Sequence, residues 1–242
     1  MKNRFKAGVL AAAVFSLIFA SGCSKDQGGK KASPKSAKKD ENTVTVPHGV
    51  VFSGALWNIS GSDAVSYFSD VIPGTMVEVS TSNGKAESKK LQSGDETKEF
   101  IRVKIDDMYL WVDSDGIVLD VLPYYVLETG TDVFFYEKPD ADAKHEKRLP
   151  PDTIVAFVGQ CENTREYPEG QKFGRIKLPA ANPGEYEDGY VRLSNIDNSA
   201  AHLAMIQVSQ KYAQYSGRGD VPVEILNELE DNIGELRSWS GR

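Results

Sequence analysis

The sequence predicts a mainly β protein in which one β unit occurs twice in succession, followed by a C-terminal helical hairpin. Short runs with alternating apolar residues, bounded by turn pairs, fill residues 46–196. Segments of the first half recur in the second at offsets of 78, 73 and 79 residues. After residue 196 the apolar spacing becomes helical.

The chain opens with Lys2, Arg4 and Lys6, followed by an uncharged and mostly apolar stretch over residues 7–20. That stretch is too short to cross ~30 Å of hydrocarbon and has the length of a signal-peptide core. It ends in Ala20-Ser21-Gly22-Cys23, which resembles a bacterial lipobox, with Ala20 standing where Leu, Val or Ile is usual. The resemblance implies removal of residues 1–22 and a diacylated Cys23 that anchors the protein in a membrane of the cell envelope. Ser24 stands where Asp, in some envelopes, retains lipoproteins at the inner membrane, so the outer membrane is favoured, on its periplasmic side or at the surface. An ordinary secretory signal with an incidental Cys is the alternative.

Residues 23–45 form a tether. Gly28, Gly29, Pro34 and six Lys, with almost no large apolar side chain, give it nothing to pack. The full chain has 28 Lys+Arg, 35 Asp+Glu and a formal charge of -7, and the leader and the tether carry +3 each, which leaves -13 from Thr43 onward. So acidic a body argues against nucleic acid, which requires a basic face. It favours amine-bearing or basic partners over anionic polymers. With Cys23 lipidated, Cys161 is the remaining thiol, either a buried small hydrophobe, a free reactive group or an intermolecular link.

The first unit is expected over 46–122. Val50-Val51-Phe52, Met76-Val77-Glu78-Val79, Phe100-Ile101-Arg102-Val103-Lys104-Ile105 and Tyr109-Leu110-Trp111-Val112 read as strands, and Pro73-Gly74, Asn83-Gly84 and Asp115-Gly116 as turns. In the third strand Ile101, Val103 and Ile105 alternate with Phe100, Arg102 and Lys104, giving one core face and one wetter face. The second unit is expected over 123–196. There Leu149-Pro150-Pro151-Asp152-Thr153-Ile154-Val155 answers Ile72-Pro73-Gly74-Thr75-Met76-Val77, Phe173-Gly174-Arg175-Ile176-Lys177 answers Phe100-Ile101-Arg102-Val103-Lys104, and Gly189-Tyr190-Val191 answers Leu110-Trp111-Val112.

Each unit resembles a bacterial SH3-like domain in the turn that opens a Val-rich strand, the strand with an aromatic and a basic residue, and the closing Gly-Tyr-Val. The first unit departs from the pattern with Leu110, and Ala55-Leu56-Trp57-Asn58 and Asp132-Val133-Phe134-Phe135 keep the opening segment poorly. The resemblance implies two small SH3-like β-barrels in tandem. Trp57, Tyr109, Trp111, Tyr136 and Tyr190 fall where such folds build a shallow groove, and aromatic rings supply contact area for peptide or sugar. Core or edge packing is the alternative for each, above all for Trp111 and Tyr190.

Residues 197–242 read as a helical hairpin. Asn198 or Ser199 caps the first helix, and Asp220 with Pro222 opens the second. Ile225, Leu226, Leu229, Ile233 and Leu236 form its apolar stripe, which suits either packing within the hairpin or docking in a partner's groove.

No catalytic or metal constellation emerges. His48, His145 and His202 are far apart, and Asp113-Ser114-Asp115-Gly116 fits a Ca²⁺ loop only in the middle, since Trp111 and Leu122 would fall where ligands are needed. No enzyme activity, metal or cofactor is expected. The reading is a lipid-anchored envelope protein whose SH3-like domains bind cell-wall peptide or another envelope protein. The alternatives are an assembly subunit working through the helical tail, or a surface adhesin displaying Arg218-Gly219-Asp220.

Overall fold

The computed structural model describes residues 47–61, 63–93, 96–140, 142–143, 145–161, 172–182 and 184–240, so Cys23 and the tether lie outside the described residues. The described chain is mainly β with two C-terminal helices, and residues 47–242 form one compact unit.

The first sheet contains β1 (His48–Val51), β2 (Ala55–Ile59), β3 (Val65–Asp70), β4 (Thr75–Val79), β7 (Ser88–Ser93), β8 (Glu96–Ile105), β9 (Met108–Asp113) and β10 (Ile117–Leu119). Its order is β10-β1-β4-β8-β9-β2-β3, with β7 added to β8. A small hairpin, β5 (Thr81–Ser82) and β6 (Lys85–Ala86), turns at Asn83-Gly84. The second sheet contains β11 (Leu122–Val126), β12 (Val133–Tyr136), β13 (His145–Leu149), β14 (Ile154–Gln160), β15 (Phe173–Pro179), β16 (Tyr186–Arg192) and β17 (Ile196–Asp197). Its order is β17-β11-β14-β15-β16-β12-β13, strand for strand the order of the first sheet.

The ladder registers coincide as well. Arg102 faces Trp111 and Trp111 faces Trp57 in the first sheet, and Arg175 faces Tyr190 and Tyr190 faces Tyr136 in the second. Val79 pairs with Val103 as Phe157 pairs with Ile176. These partners stand at the same 78, 73 and 79 offsets that the sequence shows.

Side-chain alternation then gives each sheet a face that closes a core, although Phe100, expected on the wetter face of its strand, is buried as well. Val51, Leu56, Val77, Val79, Ile101, Val103, Leu110, Val112 and Ile117 make the first core. Val126, Val133, Leu149, Val155, Ile176, Leu178, Val191 and Ile196 make the second. Where the first core uses Leu56 and Leu110, the second uses Phe135 and Gly189, and a Cβ on Gly189 would sit 2.3 Å from the Phe135 ring. The larger ring occupies the room of both leucines. That exchange explains the glycine of the second unit and its replacement by leucine in the first.

The first helix, α1 (Ala200–Ser216), has Ser199 at its N-cap position without a side-chain capping hydrogen bond, and α2 (Val223–Ser240) packs back on it as a hairpin. Ile225, Leu226, Leu229 and Ile233 are half-buried and Leu236 is buried, so much of the stripe is covered within the protein. Asp220 does not cap α2, in contrast to the sequence expectation. Its carboxylate accepts from Arg218 Nε at 3.1 Å and Nη2 at 2.8 Å, and the first turn closes on the Pro222 carbonyl, which accepts from the Ile225 N–H at 3.1 Å. The two charged ends of Arg218-Gly219-Asp220 are therefore bound to each other.

Helix α1 docks on the second sheet through a partly buried polar contact. His202, 3% exposed, lies with Nε2 at 2.8 Å from Asp152 Oδ1 and stacks on Tyr125, ring centres 4.2 Å apart. The Tyr125 hydroxyl donates to Asp197 at 2.8 Å. Asp152 has φ 62° and occupies the turn position that Gly74, φ 82°, holds in the first sheet. A left-handed Asp costs about 1 kcal/mol, and here the strain places a carboxylate against a histidine that would otherwise be buried without it.

Candidate functional site

Cross-strand neighbours at one register share a face of the sheet. Applied to the first sheet, this sets Arg102, Trp111, Trp57 and Tyr67 in one row across β8, β9, β2 and β3, on the face opposite Leu56, Val112 and Ile101. Tyr109, two residues before Trp111, joins the same face and pairs with Lys104. Trp57 and Trp111 are half-buried, whereas Tyr67 and Tyr109 are each 56% exposed. The Trp57 and Tyr67 rings meet edge to face, 5.9 Å apart at 83°. Burial, and after it the Asp70 carboxylate, holds the Tyr67 phenol above its ordinary pKa.

The β2–β3 hairpin borders a groove of about 550 Å³ on this side. Ile59, Ser60, Gly61 and Ala64 contribute from the hairpin, and Lys89, Arg102, Tyr109 and Trp111 from the sheet. Lys89 forms an ion pair with Asp63 at the hairpin tip. The Arg102 guanidinium lies over the Tyr109 ring at 4.8 Å and donates through Nη1 to both Glu87 oxygens at 3.1 Å.

Three of the aromatics singled out in the sequence, Trp57, Tyr109 and Trp111, thus come together on one outward face. Tyr136 and Tyr190 occupy the corresponding face of the second sheet, where Tyr136 presents much less surface. Tyr136 is 5% exposed, with its ring edge-on to Phe173 at 5.3 Å, and Tyr190 is half-buried. Tyr136 is a packing residue. Trp111 is largely buried, as the packing alternative expected, and also lines the groove. Sequence reasoning missed Tyr67, Arg102 and Lys89. The signal was present for Arg102, whose alternation with Ile101 and Val103 puts it on the wetter face.

The other candidates build nothing comparable. Asp113 accepts from the Asp115 N–H at 3.2 Å and caps a single 3-10 turn, Ser114–Gly116, at a strand end. Among the described residues no three His, Cys, Asp or Glu gather in a metal-binding group. Cys161 is half-buried, and burial pushes its thiol pKa up, with Arg175 opposing, which lowers its thiolate fraction at neutral pH.

No family model and no curated protein matches the chain. The chain is similar to solved structures of NlpC2 and NlpC1 from Trichomonas vaginalis, at 17% and 15% identity and TM-scores of 0.22 and 0.23. The matches cover 69% and 71% of this chain and 56% and 55% of those. The chain spans little more than half the length of each.

Proposed function

We propose that this is a lipid-anchored envelope protein, held by Cys23, whose two sheets are SH3-like units and whose first unit binds cell-wall peptide or an extended segment of another envelope protein. The observation that carries the reading is the outward row of Trp57, Trp111 and Tyr67 beside an open groove. Partly exposed aromatics gathered on one face, with polar groups at their rim, supply ligand contact area that stability alone does not require. Co-sedimentation of the full chain with purified peptidoglycan tests it. Enrichment over a control protein, lost about tenfold or more in Trp57→Ala and Trp111→Ala variants that stay folded, is the expected result. No enrichment of the unaltered chain would turn the reading towards a protein ligand.

An assembly subunit is the second reading, and one observation favours it. Val223 and Trp239, near the two ends of α2, are large and exposed. Size-exclusion chromatography with light scattering distinguishes the two, because a strict monomer with no crosslinked envelope partner is incompatible with assembly.

A further inference from the structure

The doubled fold contains its own reference for the groove. Arg175 in the second sheet stands where Arg102 stands in the first, each facing the central aromatic of the next strand. The Nε and Nη2 edge of Arg175 holds a carboxylate, with both atoms donating to Asp188 Oδ1 at 3.2 and 2.9 Å. The residue at the Asp188 position in the first sheet is Tyr109, two before Trp111 as Asp188 is two before Tyr190. Arg102 therefore has an aromatic ring beside it in place of that acid, and only its Nη1 is engaged, by Glu87. Its Nε and Nη2 have no partner among the described residues, nor does the Trp111 indole N–H, and Lys89 has Asp63 alone. The groove offers an excess of donors beside apolar walls.

A planar guanidinium edge is matched by a planar pair of oxygens, which a carboxylate provides and a single backbone carbonyl does not. A body of charge -13 repels a polyanion. The ligand then carries one carboxylate on an otherwise uncharged, small apolar chain that lies against Trp111, Tyr109 and Ile59. We infer that the groove takes the free carboxylate end of a short neutral peptide, with Arg102 as the recognising group and Lys89 as a second donor. The inference rests on the binding reading of the groove and names its ligand chemistry.

The test is titration of the full chain with N-acetyl-trialanine and with its C-terminal amide, followed by tryptophan fluorescence. The free acid binds at least about tenfold more tightly than the amide, the factor one charge-assisted hydrogen bond carries. Arg102→Gln removes that preference. Tyr109→Asp removes it too, by supplying the carboxylate from within while leaving Arg102 in place, so a folding defect in the first variant does not decide the matter. Equal affinity for acid and amide, or no saturable response to either, overturns the carboxylate assignment. Wall retention separates the two failures. If Trp111→Ala still abolishes it, the groove stands and only its ligand chemistry is wrong.

Discussion

Trp57 and Tyr136 occupy one position of a repeated fold, yet the first ring is partly presented to solvent and the second is enclosed. Strand order and register are the same around both. The difference lies in the flanking side chains. Phe134, edge-on to Tyr136 at 6.5 Å, stands where the first sheet has Ala55, whereas Phe173, also edge-on to Tyr136, has a buried counterpart in Phe100. Across the sheet Arg175 is held by Asp188, whereas Arg102 is held by Glu87 and has Tyr109 beside it at an open groove. A duplicated backbone thus supplies two equivalent faces, and single side chains, Phe134 against Ala55 and Asp188 against Tyr109, decide which one remains open.

The most direct way to break the comparison is to truncate both rings. Tyr136→Ala removes a buried aromatic and is expected to cost about 4 kcal/mol. Trp57→Ala removes a half-buried one and costs about 1 kcal/mol, with its main effect on binding. Urea denaturation of the two variants measures the gap. Equal losses would mean that the two faces do not differ in the way described.

Gly189 offers the next largest effect. Gly189→Leu drives a side chain into Phe135 and costs about 3 kcal/mol, as overpacked cores do. Adding Phe135→Leu reconstructs the leucine pair of the first sheet and restores most of the loss. If the double variant is no more stable than the single, the exchange of one ring for two leucines is not what shapes the two cores.

The sequence made the architecture legible because period-two alternation and a repeat at fixed offsets are local signals. Ile101, Val103 and Ile105 identified a core face by themselves, and Leu110-Trp111-Val112 against Gly189-Tyr190-Val191 revealed the duplication. The site was less legible, because membership of one face depends on register between strands distant in sequence. Trp57 meets Tyr67 and Trp111 only once β2 has paired on both sides. Tyr136 carries the same local pattern as Trp57, and the rings that meet it are Phe134, two residues away, and Phe173, far along the chain. Asp220 misled for a similar reason, since a good capping residue was claimed by Arg218 two positions earlier.

A smaller effect separates the two turns that face α1. Asp152→Ala leaves buried His202 without its carboxylate and retains a left-handed residue, costing about 2 kcal/mol. Asp152→Gly reproduces the turn residue of the first sheet and recovers about 1 kcal/mol of that by removing the strain. Thermal unfolding of the pair checks the order, and an alanine variant as stable as the glycine variant would show that φ is not under strain there.

The smallest effect concerns the junction between the sheets. The Tyr186 hydroxyl donates to the Asp115 carbonyl at 3.1 Å and its ring stands edge-on to Phe52, 6.2 Å away. Losing the hydrogen bond in Tyr186→Phe costs about 1 kcal/mol at neutral pH. Burial, then the Asp115 carboxylate, raises the phenol above its ordinary value of 10.0. A group whose pKa is higher folded than unfolded holds its proton more tightly in the native state, so its contribution is intact below pH 10 and falls as pH rises beyond it towards the folded pKa. The stability gap between the unaltered chain and Tyr186→Phe should therefore stay constant up to about pH 9 and narrow by pH 11. Because the other buried tyrosines are common to both chains, the difference isolates this one hydroxyl, and a gap that holds steady to pH 11 would mean the junction is open to water.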